Sequence, residues 1–462
     1  MPPQRLPLPL GKQSDKARSP FESIERLLNA YLHEAPTGKE PTPIYGTPGC
    51  RRWMSGLDGP IRGGIEMAGT PYVVAGAKLY SLAADGTPTD LGTIPGDDLV
   101  DVAGDGVNVV VVTDGKIYVW NGTTVGQVTD PDAPDASSVC YIDGFFVFGE
   151  RDTEQWFISA LRDPTSYDAL DFASAEWKPD KLVRPFKHRD TLYLAGVTTL
   201  EAQQNTGAAD FPFQAYQDLK VDVGLRGRDA ITSTNDTVFW LAHDLTIRRL
   251  DGLSANVIST PAIGRIIAGW SDPGQTVASS HVWDHHLFVV FRNPEGCIVF
   301  DQSTQRWHER ASYGSDTFRG RHYLEAYGLQ LFGSAAEGIL YALGTPEEPL
   351  YDEDGAVLPF EIVTPYAYAQ NRRLTVNEAE LVCETGVGTA TLDPAVTCER
   401  SKDGATWSAP KIRHLGKQGQ RGRRVLFGMQ GQGRAMAFRY RISDPIKRAV
   451  LGAYVEVDVE AA

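Results

Sequence analysis

The stretch QWFISALRDPTSYDALDFASAEWKPD, residues 155–180, decides the fold class. Trp156 and Ile158 alternate with Phe157 and Ser159 at the two-residue period of a strand with unlike faces. Asp163-Pro164-Thr165-Ser166 then supplies turn chemistry, since proline presets its own φ and the Asp, Ser and Thr side chains bond their local backbone. Tyr167 and Phe172 follow at an odd spacing, so they need not share one face. The segment reads as one long hairpin of a repeating all-β body.

The same phrase, an apolar strand, a Gly, Asp or Asn turn and a second strand, recurs along the chain. The core strands centre on Val73, Val109, Phe146, Tyr193, Phe239, Val289 and Leu331, at spacings of 36, 37, 47, 46, 50 and 42 residues. The mean of 43 is the length of a four-stranded propeller blade. Partner strands follow most of them, such as Lys116–Trp120 and Cys297–Phe300. A β-propeller is therefore expected over residues 46–366, with seven blades favoured over six plus an irregular insertion, and a pair of β-sandwiches as the other all-β solution. No WD dipeptide or kelch double glycine repeats. Residues 208–224 are the least regular and are expected to protrude as a loop, and residues 344–359 read as a long acidic, proline-bearing loop.

Two further regions flank this body. Residues 1–45 form a proline-rich extended arm, in which Phe21, Ile24, Leu27, Leu28 and Tyr31 have the spacing of a short amphipathic helix. Residues 367–462 suit a β-sandwich, because Phe438, Tyr440 and Ile442 alternate with Arg439 and Arg441 as in a strand with one buried face.

With 46 Gly and 29 Pro among 462 residues, the composition favours short strands and turns over long helices. The net charge of −15 is uneven: residues 367–462 carry 15 Lys and Arg against 10 Asp and Glu, leaving 29 basic against 49 acidic residues in the rest. So acidic a body argues against wrapping nucleic acid, although it suits a surface that DNA passes without sticking; solubility alone also explains it. Five cysteines without CxxC spacing suit a reduced compartment. The N-terminus lacks the apolar core of a secretory signal, and no apolar run is long enough to span a bilayer, so no membrane association is expected.

Three constellations invite chemistry. Ser401-Lys402-Asp403-Gly404-Ala405-Thr406-Trp407 is one residue short of a sialidase-type Asp-box, and it occurs once, outside the repeats; an Asp-Gly turn at a hairpin tip with Trp407 packed beneath explains it without chemistry. His281, Asp284, His285 and His286 suggest metal ligation, but one strand rarely converges a ligand set. The basic run Gly416–Arg424 is either a solvated hairpin or a docking loop. No nucleophile elbow, zinc-protease motif or phosphate-binding glycine loop is present. No catalytic, cofactor-binding or metal-binding residue is assigned. The candidate interface residues are Phe21, Ile24, Leu28, Lys417, Arg421, Arg423 and Arg424.

The chain resembles the tail hub, or packaged-DNA stabilisation, proteins of short-tailed bacteriophages. The likeness runs in order through MPPQRLPLPLG at the start, Arg62-Gly63 followed by VVAGAKLYS, WFISALRDPTSYDALDFASAE, Phe318-Arg319-Gly320 and the SKDGATWS region. It implies a non-enzymatic protein of the virion tail, made in the host bacterial cytoplasm, that forms a six-fold ring with copies of itself below the portal and its adaptor ring. Such a ring closes the DNA channel with a central needle or plug, carries tailspikes or fibres, and lets DNA pass without sequence-specific binding. The resemblance implies no cofactor and carries no residue-level interface across. The alternative class is a propeller enzyme or lectin acting on host surface polysaccharide.

Overall fold

Val109, Val110, Val111 and Val112 form one strand, and all four are buried. Such a strand shows no alternation of burial because both of its faces are covered. Val110 and Val112 pack with Phe146 and Phe148 of the following sheet, while Val109 and Val111 pack with Tyr72 and Val74 of the preceding one. Each sheet is thus sandwiched between its neighbours, and this relation repeats along residues 50–343.

The computed structural model describes residues 4–175, 178–208 and 211–459. Its body has seven groups of four antiparallel strands, called sheets 1 to 7 here in chain order. Sheet 1 begins at Ile61–Met67, sheet 2 at Asp101–Gly104, sheet 3 at Ala136–Ile142, sheet 4 at Leu182–His188, sheet 5 at Ile231–Ser233, sheet 6 at Val277–Trp283 and sheet 7 at Gly320–Ala326. The seven core strands expected from spacing are the second strands of these sheets. Two-residue turns with both residues at positive φ join several first and second strands, as at Asp143-Gly144 (φ 53° and 92°), the conformation that Asp and Gly tolerate best. Sheet 7 has only three strands of its own; its fourth is Cys50–Ser55, from the N-terminal side of sheet 1. Sheet 7 also packs on sheet 1, through Leu331 and Leu340 against Val73 and Ala75.

Within the hairpin expected over residues 155–180, Gln155–Ile158 pairs with Phe172–Ser174, with Trp156 opposite Ala173, and residues 176 and 177 lie outside the described residues. The expected loop at 208–224 is instead largely the fourth strand of sheet 4, Phe213–Val221, with a register break opposite Glu201 and Gln203. Residues 209 and 210 lie outside the described residues. The acidic segment 344–359 holds a miniature hairpin, Asp352–Glu353 with Ala356–Val357, whose Glu353 is fully buried beside Arg319 (3.1 Å). The turn residues were legible, but a carboxylate buried in a proline-rich run gives no pattern.

The helix expected in the arm is absent. Ile24–Leu28 is a strand, followed by Ala30–Leu32. Its burial mimics a helical spacing because it is covered from two directions: Leu27 faces the sandwich core, and Ile24 packs on Val363 and Ala437. Asn29 ends it at φ 49°, fully buried, its amide bonded to Ala311 and to the Pro359 carbonyl.

This arm strand joins the two halves of the molecule. On one side it pairs in parallel with the last strand of sheet 6, Leu28 opposite Glu309; on the other it pairs antiparallel with Phe360–Val363. Phe360–Val363, on the body side of the boundary expected at 366, pairs in turn with Ala435–Ile442 of the sandwich. The second sandwich sheet contains Ala449–Val459, Leu374–Cys383 and Val425–Gly433, and two further arm segments, Gln4–Leu8 and Ile44–Gly46, flank Ala449–Val459. Phe438, Tyr440 and Ile442 are buried in the core between the sheets, as their alternation predicts. Leu27 belongs to that core and is 1 % exposed. Leu27→Ala is expected to cost about 2–5 kcal/mol, by lost transfer energy plus the cavity left behind; denaturant unfolding followed by tryptophan fluorescence would register this as a lower midpoint for the transition that includes the sandwich.

Candidate functional site

Which side chains remain uncommitted decides which surfaces of the chain can meet a partner. Of the three arm candidates, Ile24 and Leu28 are buried within the chain and are packing residues. Phe21 alone is exposed, at 72 %. It lies in a loop held down by the Tyr366 hydroxyl, which donates to the Pro20 carbonyl at 2.6 Å.

The basic run divides in the same way. Arg424 donates to both oxygens of Glu380 at 2.9 Å each, and Arg5 from the arm completes the group. The Arg424 bonds hold the Glu380 carboxyl below its ordinary range, partial burial opposes them, and Arg5 adds to the lowering. Arg423 lies 3.5 Å from Asp393. Upstream, Lys411 Nζ donates to the Gly428 and Met429 carbonyls and Arg413 Nε to the Leu426 carbonyl. Two cations thereby cap a strand edge that would otherwise offer bare carbonyls to another chain. Among the described residues, the side chains of Lys417 and Arg421 make no ion pair. Ile24 and Leu28 thus lie inside the fold, Arg423 and Arg424 are paired yet partly exposed, and Phe21, Lys417 and Arg421 are exposed.

The other motifs resolve into structure. Asp403 accepts from the backbone N–H groups of Ala405 and Thr406 and from the Ser401 hydroxyl, and Trp407 lies beneath the Arg439 guanidinium at 4.1 Å. The turn bonds hold the Asp403 carboxyl far below its usual range. His281 is buried among Phe288, Tyr323 and Phe332. Asp284 and His285 form the turn after it, at φ 46° and 64°. His286 Nδ1 lies 2.7 Å from Asp301, and its Nε2 lies 2.9 Å from His33 of the arm. Among the described residues no group of three His, Cys, Asp or Glu side chains is placed to hold a metal.

A buried cluster of charges lies where the first strands of the sheets meet. Arg184 of sheet 4 donates to Asp101 of sheet 2 at 2.6 Å and lies 3.6 Å from Asp229, just before sheet 5. Asp101 also accepts from the Val139 N–H of sheet 3, and Arg228 bonds Asp229 and the Leu99 carbonyl at 2.9 Å. Burial pushes the Asp101 carboxyl up; at Asp229 burial is outweighed by Arg228 and Arg184, which hold it down. Opposed carboxylates in an enzyme can divide acid and base roles. Here each is tied into arginines that join four sheets.

Sequence reasoning missed one surface. The loop between the last two strands of sheet 3 is pinned by Tyr167, whose N–H reaches Asp130 at 3.1 Å and whose hydroxyl donates to the Pro164 carbonyl at 2.8 Å. Asp163 accepts from the Thr165 N–H, and Arg162 N–H donates to the Gly144 carbonyl. So fixed, the loop turns Leu161 and Leu170 outward, at 61 % and 80 % exposure. The only signal was two leucines off the strand alternation in a turn-rich segment.

Because folded stability from Glu380 exists while the carboxylate is charged, it is complete above the unfolded value of about 4.5 and is lost as pH falls through the lower folded value. Glu380→Gln is therefore expected to lower Tm at pH 7, with the difference from the parent chain shrinking as pH falls below the unfolded value of about 4.5; a pH series of thermal melts checks this.

The family described as bacteriophage P22 Gp10, beta-propeller, matches residues 4–346, and that described as bacteriophage P22 Gp10, beta-sandwich, matches residues 359–458. No curated protein matches the chain. Solved structures with similar chain paths include the designed Ika8 protein (13 % identity, TM-score 0.40, 72 % of this chain and 99 % of that one) and the Neurospora crassa Pan2 WD40 domain (9 %, 0.42, 64 % and 92 %). BamB from Moraxella catarrhalis is another (10 %, 0.40, 71 % and 99 %). With both family matches in order and meeting between sheet 7 and Phe360–Val363, the chain belongs to the bacteriophage P22 Gp10 family: structural, non-enzymatic tail-hub proteins of the virion that act in DNA retention and tail assembly.

Proposed function

We propose that the chain is one copy of a ring beneath the portal and its adaptor, six-fold in symmetry, that closes the DNA channel with a needle or plug and carries tailspikes or fibres. In this reading the seven sheets are the blades of a closed seven-bladed propeller over residues 50–343. The sandwich is built from residues 360–459 with the arm, residues 4–46, woven into it, so the arm is not a separate unit.

The observation that carries the reading is the ion ladder across the joint. Arg26 of the arm lies 2.8 Å from Glu309 and 3.3 Å from Glu361; Arg441 lies 2.6 Å from Glu361 and 3.1 Å from Glu399; Arg439 closes on Glu399 at 2.9 Å. These residues stand on five adjacent strands running from sheet 6 through the arm into the sandwich. A ring that retains pressurised DNA needs its two units coupled, and alternating charges across continuous hydrogen-bonded strands couple them. Net negative charge on the body favours passage of DNA without adhesion. Phe21, Lys417 and Arg421 are available to partners.

Negative-stain electron microscopy of the purified protein with portal–adaptor complexes tests the reading. A six-fold ring bound below the adaptor is expected; monomers that ignore the adaptor at all protein concentrations would overturn it.

A further inference from the structure

The charge of the body is concentrated. Residues 58–175, which contain sheets 1 to 3, carry 19 Asp and Glu against 5 Lys and Arg, almost the whole net charge of the molecule. The sandwich is the basic part, and it hangs from sheet 6 through the arm strand. In a closed ring of seven sheets, sheets 2 and 3 are each three places from sheet 6. The acidic flank and the basic sandwich therefore lie on opposite sides of the molecule.

Each flank also has exposed apolar side chains within its charge. On sheet 3 these are Leu161 and Leu170 of the pinned loop, with exposed Asp132, Asp143 and Asp168 in the neighbouring turns and the cation Arg162 beside Leu161, a rim that is acidic on balance. Asp143 adjoins Gly144, the residue in contact with Leu161, and Asp132 adjoins the segment that binds Tyr167. On the sandwich they are Ile412 and Met429, which lie on Lys411–His414 and Val425–Gly433, edge strands of the two different sandwich sheets; the Lys411 side chain bonds across to the Met429 carbonyl, and the loop that joins the strands bears Lys417 and Arg421. Apolar centres with charged rims are the usual anatomy of a protein interface, and here the rims are of opposite sign. The loop is held in place before any contact, so little ordering entropy is lost on docking.

We propose that the pinned loop Leu161–Asp171 of one copy docks on the sandwich edge of the next copy, formed by Lys411–His414, Val425–Gly433 and the basic loop between them, head to tail. The inference rests on the ring reading above and adds which two faces meet. Because the faces lie on opposite sides of the protomer, the contact is heterologous and builds rings or filaments instead of closed two-fold dimers. Rim charges set encounter and register and are screened by salt, whereas the leucines hold the contact once formed.

Full-length protein would be followed by sedimentation velocity and negative-stain microscopy at about 50 and about 500 mM NaCl, with and without portal–adaptor complexes. Lys417→Glu with Arg421→Glu, and separately Asp132→Lys with Asp143→Lys, are each expected to raise the half-assembly concentration about tenfold or more at low salt. All four substitutions in one chain restore opposite charges and are expected to return it to within about threefold of the parent. Leu170→Ser is expected to weaken assembly at both salt concentrations. Thermal melts confirm that each variant is folded, and recovery in the fourfold variant separates loss of contact from loss of fold. Parent-like assembly of both double variants, or a fourfold variant no better than either double, would overturn the inference while leaving the ring in place. Failure of the parent chain to form rings, alone or on the adaptor, would overturn the ring reading and this inference with it.

Discussion

Everything beyond the body depends on Arg26 standing between Glu309 and Glu361. The arm strand that carries it makes a single parallel pairing with sheet 6, at Leu28 and Glu309, and only three register pairs with Phe360–Val363. Alone, so short a strand is a weak joint. The guanidinium neutralises two carboxylates that would otherwise repel across the strand between them, and Arg441 does the same for Glu361 and Glu399 one strand further on. A partly buried carboxylate left without its cation costs far more than the pair gains in isolation, so the ladder holds as a unit. Asn29 reinforces it at the end of the strand, its side chain reaching both the exit of sheet 6 and the entrance to the sandwich.

The legibility of this architecture follows from burial geometry. The seven second strands were readable because a strand covered on both faces must be apolar throughout, as runs such as Val109–Val112 and Phe146–Phe148 are. The arm strand was misread for the same physical reason. Two-sided burial removes the alternation that marks a strand, and over the few residues from Phe21 to Tyr31 the remaining apolar spacing coincides with a helical one. The sandwich strand Ala435–Ile442 kept its alternation because one face is wet, and it was recognised.

The interface residues were less legible, since a charge in a sequence does not say whether it is already paired. Arg424 and Lys417 look alike in the basic run, yet one is bonded to Glu380, 44 residues away, and the other makes no ion pair among the described residues. The ladder is more hidden still, because Arg26 and Glu361 are 335 residues apart. The pinned loop of sheet 3 lay inside the most recognisable phrase of the chain, but its outward leucines depend on Tyr167 turning inward, which only the fold reveals. Such pairings are long-range by nature and leave no local pattern.

The strand Cys50–Ser55 has a consequence for how the protein is made. It is synthesised early but finds its partner, Ile339–Leu343, only after almost 300 further residues have emerged. At roughly 5–20 residues per second that is an interval of about 15–60 s, during which the nascent body has an unpaired edge at each end. Long-range closure of this kind is slow and leaves those edges open to wrong partners while it lasts. Once sheet 7 is complete, the first and last strands of the body hold each other, and the risk of misassembly is confined to the interval of synthesis.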